Sequence, residues 1–435
     1  MPDINESKNN LLTKAGKYSA SLLKQWFVKP LIGMLLGTLI LGRIVNSVTR
    51  PQSYSVYFVG PFNDDKASSK DADPTNQIWM ALENNDPSLG SLDDVPVVLH
   101  RRNDFGDDKT AERISLELAG KRDTLMVIGH LTSTTTRAAL PAYLSRASPP
   151  IPVILATETN PDLLPPAEAN SDEFQPVYRL SPTDDQQARV AACFVQNQGA
   201  KAIWVIESGS NHVYSRYLAQ EFIERVQGNG PGNKVLLWST NLDHPVVDAV
   251  RALGIDWIFY AGDWQNVLVL LRQLRTASAG KPMPKLILTD SAMDPRLLTL
   301  GGEDVKDNVY LTFPVSFNRF HDQGNYAVYG KDARKLISKV LKETQAEFDG
   351  LARDGREFRR AFNSLLGLKR VADARNAIRS YMKRSAEGRE TFLLAGKTQV
   401  EFDKRGSAMN RSFSLWQIKN GQFAGADELL HCPDR

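Results

Sequence analysis

Residues Thr124–Leu163 read TLMVIGHLTSTTTRAALPAYLSRASPPIPVILATETNPDL. Two apolar runs, Thr124 to Ile128 and Pro152 to Ala156, flank one helical segment. Each run is too short for a helix, is rich in β-branched and aliphatic residues, and stops at glycine or hydroxyl residues, the pattern of a buried parallel strand. The segment between them is then the crossover helix of a βαβ unit. Thr132, Ser133, Thr134, Thr135 and Thr136 fall where the first strand gives way to the helix, and Thr157 and Thr159 end the second strand. In a doubly wound sheet both places open on the carboxyl edge of the strands, where ligands bind. A helix N-terminus there offers unpaired N–H groups and a partial positive charge, a seat for a carboxylate or phosphate beside Ser133. Ser and Thr are also ordinary N-caps and turn formers, which alone accounts for one or two of these residues.

Outward from this unit the alternation of strand and helix continues in both directions. Toward the N-terminus come a strand from Tyr54 to Val59, a helix around Gln77 to Glu83, the strand VPVVLH and the helix ERISLELAG. Toward the C-terminus five prolines between Asn160 and Asp185 mark a connection, the expected first crossing between two lobes. A second series follows: helix Gln186 to Gln198, strand KAIWVIES, helix Tyr214 to Val226, strand KVLLWST, helix Pro245 to Leu253, strand DWIFYAG, helix Trp264 to Arg275 and strand KLILTDS. VYLTFP (Val309 to Pro314) reads as a strand crossing back toward the first lobe, ahead of an amphipathic helix with Ala333, Leu336, Ile337 and Val340 on one face. Charged helical sequence from Glu343 to Glu387 reads as a solvated cover. VEFDKRGSAMNRSFSLWQIKNGQF has the alternation and turn residues of short antiparallel strands.

A chain of 435 residues exceeds one ordinary core and implies two domains with an extension. The net charge of +3 comes without a long basic stripe, which argues against a nucleic-acid surface. Five lysines from Lys8 to Lys29 precede the uncharged run PLIGMLLGTLIL (Pro30 to Leu41). Basic residues ahead of an apolar run hold that end in the cytoplasm, so residues 26–48 read as a signal anchor, or else a cleaved signal peptide, with the remainder exported. The two cysteines, Cys193 and Cys432, fit no metal spacing or disulfide framework, and Cys193 reads as a plain core thiol. The six histidines form no local metal spacing, and no nucleophile elbow or phosphate-binding glycine loop appears, so neither an enzyme nor a cofactor is expected.

GHLTSTTTRAALP and ILATETNPDL resemble the ligand-binding loops of the periplasmic substrate-binding proteins that serve branched-chain amino acid ABC transporters. The resemblance spans roughly residues 53 to 423. It implies two doubly wound Rossmann-like lobes joined by three hinge segments: 53–180 with 313–395, and 181–312 with 396–423. A basic tail (1–25), the hydrophobic helix and a short tail (424–435) lie outside them. It also implies that Ser133, with Thr132 beside it, and Thr159 receive a ligand's carboxylate and amine, that the Thr157 carbonyl takes the amine, and that Asp290 pairs with the ammonium. Tyr214 matches an aromatic that closes over ligands. Asp263 stands where the family has an aromatic, with Trp264 beside it as a substitute. That departure, with Glu158 inside the ATETNP loop, points away from a purely aliphatic ligand, and a second acid favours one with an extra cationic or polar group. The function implied is capture of a small amphoteric ligand for an ABC permease; a membrane-anchored sensor and an interaction scaffold of the same fold are the alternatives.

Overall fold

The computed structural model describes residues 34, 37, 51–63, 73–164, 175–228, 234–240, 246–278, 282–305, 308–314, 326–353, 371–388, 390–394, 399–409 and 411–430. The hydrophobic segment at residues 26–48 therefore lies outside the described residues, and among these no helix is long and apolar enough to cross a membrane.

The first sheet has six strands: β1 (Tyr54–Gly60), β2 (Ser88–Leu92), β3 (Val95–Asn103), β4 (Thr124–Gly129), β5 (Val153–Leu155) and β6 (Val177–Arg179), in the order β2-β3-β1-β4-β5-β6. All seven residues of β1 and all six of β4 are buried, which is why both read as unbroken apolar runs rather than alternating ones. The crossovers are α1 (Pro74–Glu83), α2 (Asp108–Gly120) and α3 (Ser133–Pro141). Strand order reverses about β1, whose neighbours β3 and β4 are both parallel to it, so a crevice opens at its carboxyl end. Gly129 ends β4 at φ 114°, where a Cβ would stand 2.1 Å from the Val59 carbonyl oxygen; only glycine fits.

The second sheet repeats this winding. It contains β7 (Ala202–Glu207), β8 (Lys234–Thr240), β9 (Trp257–Ala261), β10 (Lys285–Leu288), β11 (Val309–Phe313), β14 (Ser414–Lys419) and β15 (Gln422–Gly425), in the order β15-β14-β11-β10-β9-β7-β8. Its helices are α4 (Asp184–Asn197), α5 (His212–Gly228), α6 (Val246–Leu253), α7 (Trp264–Ala277) and the short α8 (Pro295–Gly301). A return helix, α9 (Ala327–Arg353), packs on α1 and β2, and its Arg334 guanidinium donates to the Leu82 and Glu83 carbonyls at 2.7 and 2.9 Å, closing the C-terminus of α1. Then come α10 (Val371–Glu387) and the hairpin β12 (Thr391–Leu393) with β13 (Gln399–Glu401).

Four sequence expectations change. β11 does not cross back: it is parallel to β10 and antiparallel to β14, inside the second sheet. The proline-rich connection contains a strand, β6, which adds to β5 before the chain passes over to α4. An unforeseen edge strand, β2, hairpins onto β3 through Asp93 and Asp94, both at positive φ. Cys193 is disulfide-bonded rather than a free core thiol, and Cys432 is the chain's only other cysteine.

The third crossing is held by the first sheet before it leaves. The Arg179 N–H donates to the Gly406 carbonyl at 2.7 Å, and the Ala408 N–H donates to the Arg179 carbonyl at 3.0 Å, so residues 406–408 run beside β6. A few residues on, Arg411 meets the buried Asp332 of α9 at 2.6 Å, and β14 begins.

Candidate functional site

Between the carboxyl ends of the two sheets lies a cleft of about 480 Å³. All eight residues singled out in the sequence line it: Thr132, Ser133, Thr157 and Thr159 from the first-sheet side, Tyr214, Asp263, Trp264 and Asp290 from the second. Their local roles differ sharply.

Thr132 is the N-cap of α3, its hydroxyl accepting from the Thr135 N–H at 3.3 Å. Thr157 donates its hydroxyl to the Leu131 carbonyl at 2.9 Å. Leu131 sits at φ 68°, uncommon for a branched side chain, and is held at both ends: its N–H donates to Glu158 Oε1 at 3.1 Å. Glu158 also accepts from the Thr157 N–H at 2.8 Å and the Thr136 hydroxyl at 3.2 Å, and is 1% exposed. Its carboxylate is thus turned inward to tie the two loops together, rather than offered to a ligand as the sequence suggested. Burial raises its pKa, with those hydrogen bonds opposing the rise.

The helix N-terminus is largely spoken for. The Thr134 N–H and hydroxyl both donate to Asn211 Oδ1, at 3.1 and 2.9 Å. Asn211 precedes α5, so this pair joins the first side of the cleft to the second. Asn160 makes a parallel join, its Nδ2 donating to the Val213 carbonyl at 2.8 Å. Ser133, 2% exposed, keeps a hydroxyl with no partner among the described residues.

On the second side, Tyr214 donates to Asp290 Oδ1 at 2.5 Å and Gln187 Nε2 donates to the same oxygen at 3.0 Å. Burial raises the Asp290 carboxyl above its ordinary range, and those two hydrogen bonds pull the other way. Asp263, just ahead of α7, accepts from the Ser210 hydroxyl, and burial raises its pKa too. Trp264 carries the Arg296 guanidinium over its ring at 4.7 Å, while Arg296 itself is bound two-pronged to Asp294 at 2.9 and 2.6 Å.

Several lining residues were not foreseen. Asp73 is the N-cap of α1, accepting from the Asn76 N–H at 3.1 Å. Tyr326 reaches in from the start of α9, its hydroxyl donating to the Asp290 carbonyl at 3.0 Å while its N–H donates to Gln77. Asp73–Pro74 and Asp294–Pro295 carry the acid-then-proline signature of a helix start, which marks a cap but not what else the acid faces. Behind the cleft, Asp184 is 0% exposed and neither carboxylate oxygen has a hydrogen-bond partner. Burial raises its pKa well above the ordinary value; the nearby Thr159 hydroxyl and Arg179 offset that only in part, and Asp290 adds to it. No group of three or more potential metal ligands occurs among the described residues.

A family model gives the kinship, and solved structures share the fold. A family model described as periplasmic binding protein matches residues 60–335. A comparison with curated protein sequences finds no match. Among solved structures, a leucine binding protein from Thermotoga maritima MSB8 superposes with a TM-score of 0.64 at 18% identity, covering 86% of this chain and 97% of that one. The solute binding protein of an ABC transporter from Rhodopseudomonas palustris BisB5, in complex with 3,4-dihydroxybenzoic acid, gives 0.61 at 14% identity over 86% and 96%. A branched-chain amino acid transporter substrate binding protein from Streptococcus pneumoniae, in complex with isoleucine, gives 0.60 at 14% over 85% and 97%. At these identities the likeness is one of fold.

Proposed function

The chain belongs to the periplasmic binding protein family, and from that premise we propose that it is an extracytoplasmic solute-binding protein that captures a small amine-bearing ligand between its lobes for an ABC importer. The observation that carries this reading is Asp290: a half-buried carboxyl on the cleft wall whose side-chain hydrogen-bond partners are the neutral Tyr214 and Gln187. An ammonium there would replace a costly buried charge with a charge-assisted pair. The Ser133 hydroxyl across the cleft is a donor for a ligand carboxylate, which makes an amino acid or amide-like molecule the ligand class. Residues 26–48 would hold the binding domain at the membrane, with the cleft outside.

The test is isothermal titration of the chain with a panel of amino acids and amides, repeated with Asp290→Ala. Loss of a hydrogen bond to a charged group predicts roughly 10- to 100-fold weaker binding of any amine-bearing hit. Unchanged affinity would remove Asp290 from the site. The five lysines of the N-terminal tail favour one second reading, a tethered sensor. Deleting the gene separates the two: lost uptake supports transport, whereas intact uptake with a lost response supports sensing.

A further inference from the structure

The cleft's charge is lopsided. Its lining includes five carboxyl groups, on Asp73, Glu158, Asp263, Asp290 and Asp294, against one guanidinium, Arg296. Two of the five are satisfied from within: Glu158 by three loop donors, and Asp294 by Arg296. Asp73, Asp263 and Asp290 remain, and each accepts only neutral donors: the Asn76 N–H, the Ser210 hydroxyl, and the pair from Tyr214 and Gln187. Among the described residues none of the three is in an ion pair.

The donor side is correspondingly thin. The α3 N-terminus, the natural seat for an anion, has its Thr134 N–H on Asn211 and its Thr135 N–H on Thr132. The adjacent Leu131 and Thr157 N–H groups are both on Glu158. Arg296, the single cation lining the cleft among the described residues, is neutralised by Asp294. One ligand carboxylate can be received at the Ser133 hydroxyl, but among the described residues no group is placed to neutralise a second. An independent observation points the same way: Asp184, fully buried next to Thr159, carries two carboxylate oxygens with no hydrogen-bond partner. This acid beneath the cleft floor, its burial only partly offset by the Thr159 hydroxyl and Arg179, is favoured in its ionised form by a cation placed above it.

Resting on the solute-binding reading, we propose that the ligand carries more positive than negative charge, as a diamine or a basic amino acid does, with one ammonium on Asp290 and a second cationic group taken by Asp73 and Asp263. Asp73 and Asp263 start helices on opposite sides of the cleft, so a ligand bridging them also ties the lobes together. A neutral or aromatic acid gives neither carboxyl a cationic partner, which leaves Asp263 with the Ser210 hydroxyl alone and Asp73 with its cap hydrogen bond and the more distant Arg296 charge.

The test is titration of the full chain near neutral pH with four probes: lysine, 1,5-diaminopentane, leucine and benzoate. Lysine or the diamine should bind at least roughly 10-fold tighter than leucine, the worth of one charge-assisted contact. Asp263→Asn and Asp73→Asn should each cut that affinity about 10- to 100-fold and so narrow the preference over leucine. Asparagine keeps the N-cap acceptor, so Asp73→Asn preserves the helix start and reports on charge alone. Leucine or benzoate binding as tightly as the cations would overturn the charge assignment and leave the solute-binding reading standing. No binding of any probe by protein shown folded by circular dichroism would overturn both.

Discussion

Asp184, Asp263, Asp290 and Glu158 all have carboxyls pushed above their ordinary range by burial. The proton linkage follows directly. In the unfolded chain these groups titrate near 3.8 for aspartate and 4.5 for glutamate, whereas in the fold they hold their protons to higher pH. Between the two values the native state binds more protons, so these groups' contribution to stability is fully present below the unfolded pKa and is lost as pH rises through the folded one. The empty protein should therefore melt at a higher temperature near pH 5 than at pH 7.5. Asp184→Asn should flatten that slope, since Asp184 is fully buried and burial holds its carboxyl well above the ordinary range; a calorimetric pH series on both proteins checks it. A bound cation works in the opposite sense, because it favours the ionised carboxyls. At this scale the sequence was informative about position and poor about occupation. Ser133, Thr157, Thr159 and Asp290 could be placed at strand ends by periodicity. That Glu158 faces inward depends on two loops 22 to 27 residues apart meeting, and that Asn211 takes the Thr134 donor depends on segments 77 residues apart, which no local pattern encodes.

The helix N-termini are the elements that meet across the cleft. α3 and α5 face each other through Thr134 with Asn211, and Asn160, in the loop after β5, donates to the Val213 carbonyl of α5; these hydrogen bonds of 2.8 to 3.1 Å draw the two sides together. A closed arrangement held by so few polar contacts is poised rather than locked, because each such bond is worth only about 0.5–1.5 kcal/mol net. Asn211→Ala should shift the empty protein toward an open form, read as a larger radius of gyration by small-angle X-ray scattering, with ligand restoring the compact value. An unchanged radius would mean that the hinge segments, not this latch, set the lobe spacing. Inner strands were the easiest elements to read, since β1, β4 and β9 are buried on both faces and stand out as apolar runs. β2 and β6 were missed for physical reasons. SLGSL lacks the branched residues that mark a strand and is fixed by its Asp93–Asp94 turn, while β6 is three residues long in a proline-rich stretch.

Across the whole molecule, two sheets of like winding are sewn together by a chain that passes between them three times. The disulfide at Cys193 fastens α4, on the second-sheet side. Disulfides persist in oxidising compartments, which accords with an exported domain. Cys193→Ser should lower the unfolding free energy by about 2–4 kcal/mol, measured by urea denaturation without reductant. A wild-type curve unmoved by dithiothreitol would show that the bond contributes nothing. The same chain passage governs when the protein can first fold. Phe313 of β11 pairs with Ser414 of β14, so this strand waits for a partner made about a hundred residues later, and residues 406–408 must line β6 before that partner arrives. Neither lobe can be finished while its tail is still being synthesised. The nascent chain must stay unsettled until its last hairpin emerges, a delay that slows folding and leaves β11 a bare edge in the meantime. Were the chain exported unfolded, that delay would keep the fold from closing too early on the wrong side.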